Sequence, residues 1–117
     1  MTIKECYESI GADYADVLNR MMQKEALVIR FAKKFVDDKS YETLCEAMND
    51  KNVEEAFRAA HTLKGVAQNL SLKALYEPTS ELTEKLRAGE MDGTEDMLEK
   101  VTVEYQKTID AITKLEG

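Results

Sequence analysis

The stretch Val53-Glu54-Glu55-Ala56-Phe57-Arg58-Ala59-Ala60-His61-Thr62-Leu63-Lys64-Gly65-Val66-Ala67-Gln68-Asn69-Leu70 reads as one amphipathic helix. At about 100° per residue, Val53, Ala56, Phe57, Ala60, Leu63, Ala67 and Leu70 share an arc roughly 140° wide, wide enough to face a core. Asn52 precedes the run and Glu55 follows three residues later, the spacing of a capping box. His61 stands about 40° beyond Phe57, at the margin of the apolar arc. Lys64, Gly65 and Gln68 lie one and two turns further on, near the same line.

Working outward, helical periodicity continues in both directions. Upstream, Ser40 is placed to cap a helix carrying Tyr41, Leu44, Cys45 and Met48 that ends near Asn49-Asp50. Before it, Lys24 to Asp37 carries Leu27, Val28, Phe31, Phe35 and Val36, and Asp13 to Met22 carries Tyr14, Val17, Leu18 and Met21. Gln23-Lys24 is no breaker, so one helix or two remains open there. Thr2 to Ser9 is a short helical segment ended by Gly11. Downstream, Ser71 is expected to cap a helix running to Ala88 and stopped by Gly89, with Pro78 predicting a kink or a delayed start. Thr94 should cap a last helix with Met97, Leu98, Val101, Tyr105, Ile109, Ile112 and Leu115 inward. One proline, five glycines and no tryptophan fit an all-α chain. Short connections predict an antiparallel up-and-down four-helix bundle with an additional short N-terminal helix. The 117 residues suit a single domain, with a helical extension at about 2–22 and a core bundle at about 24–116.

Charge and motif content exclude several functions. The net charge is -7, and Lys33-Lys34 is followed at once by Asp37-Asp38, so no basic surface for nucleic acid is expected. No apolar run approaches the roughly 20 residues that span a bilayer, and Met1 to Glu5 is no signal-peptide core, so no membrane association and a cytoplasmic location are expected. Cys6 and Cys45 stand far apart, and two cysteines with one histidine fall short of a structural zinc set. A di-iron bundle needs Glu three residues before His, where this chain has Arg58. Neither a GxSxG elbow nor a glycine-rich phosphate loop occurs.

Taken alone, a histidine at a helix margin is most often a half-exposed side chain without a task. Its neighbours point further. A glycine within a helix costs about 0.5–1 kcal/mol relative to alanine, and Gly65 leaves the space beside the imidazole open. The Lys64 ammonium can attract a phosphoryl group while its stem lies on apolar surface. Gln68 can donate a hydrogen bond to a phosphoryl oxygen or to the ring.

Ala59-Ala60-His61-Thr62-Leu63-Lys64-Gly65-Val66-Ala67-Gln68-Asn69-Leu70 resembles the signature of histidine phosphotransfer (HPt) domains, roughly A-H-x-L-K-G-[SA]-[AS]-x-x-[LIV]-G. Glu81 to Glu90 and the upstream Phe31-Ala32-Lys33-Lys34-Phe35-Val36-Asp37-Asp38 are similar to the family's flanking helices. Val66 stands where the family often has Ser, and Ser71 where it usually has Gly. The resemblance implies a covalent phosphoryl carrier rather than a turnover enzyme, with His61 as phosphoacceptor and Lys64 and Gln68 stabilising the phosphoryl group. Gly65 would give the partner access. The following helix would bring Thr83 and Arg87 toward His61, with Arg87 the better further stabilising cation. The partners implied are a response-regulator receiver domain, a sensor histidine kinase or both, met by a monomer. No metal or cofactor is expected on this chain, Mg²⁺ belonging to the receiver. The alternative is a helical adaptor that binds such partners without phosphotransfer.

Overall fold

Seven α-helices and no strand occupy the described residues, 1–115, of the computed structural model: α1 (Ile3–Ser9), α2 (Tyr14–Arg20), α3 (Glu25–Phe35), α4 (Ser40–Asn49), α5 (Val53–Asn69), α6 (Lys73–Arg87) and α7 (Thr94–Thr113). The chain is all-α, as its periodicity predicts. Residue 116, the expected end of the core bundle, lies outside the described residues. The N-terminal extension holds two short helices rather than one additional helix.

Helix α5 packs against α4 and α6, and α6 packs in turn against α7. Leu44, Leu63, Leu75, Leu82 and Val101, one or two from each of these helices, are fully buried together. An aromatic seam joins α4 to α7: Tyr41 stacks on Tyr105 at 4.0 Å, and its hydroxyl donates to Thr102 Oγ1 at 2.8 Å. Phe35 of α3 meets Tyr105 edge-on at 5.8 Å. Aromatic contacts of this kind favour stacked or edge-to-face geometry by ring electrostatics.

The helix ends depart from the expected caps in an informative way. Helices α2, α4 and α5 each end on a residue in the left-handed region that is not glycine: Met22 at φ 56°, Lys51 at φ 54° and Ser71 at φ 55°. In each case the next amide reaches back to close the last turn: Gln23 to the Leu18 carbonyl, Asn52 to Ala47 and Leu72 to Ala67. This closure satisfies terminal carbonyls that the helix leaves unpaired. Met22 and Gln23 therefore divide α2 from α3, although neither residue type breaks a helix. Ser71 ends α5 and does not cap α6, which starts after Leu72 without a side-chain cap. Pro78 neither delays α6 nor ends it. Two other expected caps are also displaced. Asp38 accepts from the Ser40 amide at 2.8 Å, and Gly93 at φ 78° precedes Thr94. Asn52 does cap α5, its side chain accepting from the Glu55 amide at 3.2 Å.

Three bonds fasten the extension to the end of the His61-bearing helix. The buried Tyr7 hydroxyl donates to the Leu70 carbonyl at 2.7 Å. The Asp13 amide donates to the Ser71 carbonyl at 3.1 Å, and Ser71 Oγ donates to Asp16 Oδ2 at 2.6 Å. Tyr7→Phe removes one of these without changing shape, so the Leu70 carbonyl loses its phenol donor, and a loss of about 1 kcal/mol is expected in denaturant titration. Hydrogen bonds from Ser71 and Arg20 hold the Asp16 carboxyl below its ordinary range. A depressed carboxyl stabilises the fold above its unfolded pKa and loses that contribution as pH falls through the folded value. Ser71→Ala should therefore flatten the acid limb of a stability-against-pH curve, with little change in that slope near neutrality.

Candidate functional site

The site is built on α5, because the helical period sorts its side chains between core and solvent. Ala56, Ala59, Ala60, Leu63 and Ala67 are buried, and His61 is exposed. The buried arc is narrower than the apolar pattern suggests, since Val53 and Phe57 are only half-buried. Phe57 thus forms the margin, and His61 lies outside the core altogether. The two rings stack with centroids 5.8 Å apart and planes inclined by 23°.

Arg87, in the last turn of α6, reaches the same place. Its guanidinium carbon lies 5.1 Å over the Phe57 ring, and Nε donates to Glu84 Oε2 at 3.1 Å. The fold therefore brings Arg87 to the Phe57–His61 pair. Thr83 does not join them. It is fully buried, and its hydroxyl donates to the Thr79 carbonyl at 2.7 Å, so the α6 interior claims it. Lys64 is half-buried and Gln68 exposed, both on α5 beyond the imidazole. Thr62 returns its hydroxyl to the Arg58 carbonyl at 3.0 Å, and Arg58 pairs with Glu55 at 3.0 Å.

Gly65 separates the two meanings of a glycine within a helix. Beyond its own turn of helix, a Cβ built there meets no atom of the described residues within 4 Å. No neighbouring helix of this chain needs the missing methyl, so the open space faces outward. Elsewhere on α5, Val66 and Leu70 line a groove of about 770 Å³ toward the α2–α3 segment, with apolar Phe31 and Phe35 and charged Lys34, Asp37 and Asp38 also in its lining. Phe31 is 38% exposed and Met22, at the α2–α3 break, 71%.

Among the described residues, no three His, Cys, Asp or Glu side chains gather to hold a metal ion. No described helix is long and apolar enough to cross a membrane. Phe57 and Glu84 also touch the candidate site residues His61 and Arg87, contacts that sequence reading missed. Phe57 counted as core because it lies on the apolar arc, and nothing in the pattern ties Glu84 to Arg87 beyond their three-residue spacing. Compared with known proteins, residues 38–115 match the family model described as Hpt domain. Neither curated proteins nor solved structures give a match to the chain.

Proposed function

The chain belongs to the Hpt domain family of two-component phosphotransfer modules, and on that premise we propose that it relays a phosphoryl group through His61. The donor is an aspartyl phosphate on a receiver domain, or a histidine kinase. A neutral imidazole nitrogen attacks phosphorus in line. The P–N bond forms as the P–O bond to the aspartate breaks, and that electron pair leaves with the carboxylate. A second receiver aspartate later takes the group by the reverse exchange. The acyl phosphate is already a reactive donor, so the chain needs no base beyond the ring itself. It is a carrier, modified and reset, with Mg²⁺ held by the receiver.

Lys64, Gln68 and Arg87 supply charge and hydrogen bonds to the phosphoryl oxygens. The open space at Gly65 is the observation that carries this reading. A glycine within a helix lowers stability, no packing inside the chain requires it, and it stands one turn from the exposed histidine. A receiver loop that must bring its phosphate to the ring does require it. The groove along Val66 and Leu70, with apolar Phe31 and Phe35 and charged Lys34, Asp37 and Asp38 in its lining, offers the same partner both kinds of contact found in docking faces. With this function we also infer a monomeric, cytoplasmic module in which residues 1–117 form one helical domain and α4–α7 run up and down in antiparallel order. The contact of Phe57, early in α5, with Arg87, late in α6, fits that order.

The test is label transfer from a phosphorylated receiver. The expected product is an acid-labile, base-stable phosphate on the chain. A stable receiver complex without label would instead indicate an adaptor.

A further inference from the structure

We propose that Phe57 is a positioning residue of the phosphoacceptor, holding the His61 imidazole and the Arg87 guanidinium against one ring. This rests on His61 being the phosphorylated residue. The imidazole stacks on Phe57 at 5.8 Å and 23°, while the guanidinium carbon lies 5.1 Å over the same ring. An exposed histidine on a helix would otherwise turn freely about its side-chain torsions, and a stacked neighbour restricts the plane of the ring. An exposed arginine would likewise wander, but the face of an aromatic ring attracts a cation.

Resting Arg87 is also bonded to Glu84, and that pair is half-exposed and weak. A phosphoryl group on His61 brings about two negative charges to the neighbourhood of the shared ring. Arg87 then exchanges a single carboxylate for a more highly charged partner without leaving its shelf. Its charge-assisted hydrogen bonds to the phosphoryl oxygens stabilise the phosphohistidine itself, so the modified state lasts longer. Phe57 thereby couples two functions, aiming the nucleophile and keeping the stabilising cation at hand.

The experiment uses the full chain, phosphorylated with phosphoramidate so that no receiver is needed. Wild type, Phe57→Leu, Phe57→Tyr, Arg87→Ala and the Phe57→Leu/Arg87→Ala double variant are compared. Two quantities are read: the imidazole C–H resonances of the unmodified chain and the lifetime of the phosphohistidine. Phe57→Leu should move the resonances as the ring current is lost, and shorten the lifetime about two- to fivefold, the range of an exposed cation–π contact. Phe57→Tyr should restore both. The double variant should decay no faster than the worse single variant, because the two side chains act as one unit. Unmoved resonances, an unchanged Phe57→Leu lifetime or losses that multiply independently would each overturn the proposal. Failure of label transfer from a receiver would count against the relay function instead, since neither readout depends on it.

Discussion

His61→Gln should take up no acid-labile phosphate from a phosphorylated receiver, while its helix content and melting temperature should stay close to wild type. The expected loss is complete to the detection limit, because removing a nucleophile typically costs more than about a thousandfold and no second histidine can substitute. Folding should barely notice. The side chain is exposed, so stability should change by no more than about 0.5 kcal/mol. Receiver binding should also persist, since the groove lined by Phe31, Phe35, Val66 and Leu70 is untouched. Calorimetry on the variant thus separates docking from chemistry. Equal labelling of variant and wild type would sink the relay reading and leave the helical adaptor in its place.

Gly65 substitutions should move stability and function in opposite directions. Gly65→Ala adds a methyl to open space and removes backbone freedom from the unfolded chain, so it should stabilise the fold by about 0.5–1 kcal/mol. Gly65→Gln adds similar helix propensity but fills the space one turn from the imidazole. It should fold at least as well as wild type and slow transfer from the receiver about tenfold or more, the cost of displacing reacting atoms from their approach geometry. Chemical denaturation and single-turnover transfer measured on the same samples decide the matter. Were Gly65→Gln as fast as wild type, the open space would not be where the partner enters. Were it unstable, the glycine would serve packing after all.

Much of the fold was legible because its signals are local. The period of Val53 to Leu70 turns directly into a helix with a buried alanine face, and Asn52 caps it as its spacing predicts. The breaks between helices were harder. Met22, Lys51 and Ser71 hold left-handed conformations that glycine adopts freely, and the fold imposes them on residues with no such preference. At Ser71 the backbone holds the left-handed conformation that glycine adopts freely, and the bond to Asp16 shows what the serine offers there. Ser71 was misread as a cap because both roles place a small polar residue between two helices.

The same division runs through the site. By itself the sequence determined an all-helical chain with a single histidine at the edge of an apolar helix face, followed by Lys64, Gly65 and Gln68 on one surface. Those follow from helical spacing alone. Only the tertiary structure decided that Phe57 stays half-buried at the edge of the core in contact with His61, that Arg87 comes to it while Thr83 turns inward, and that the space at Gly65 opens outward. The physical reason is that a period fixes angles around one helix. Which angles become buried, and which distant side chains meet there, depends on how the neighbouring helices cover it.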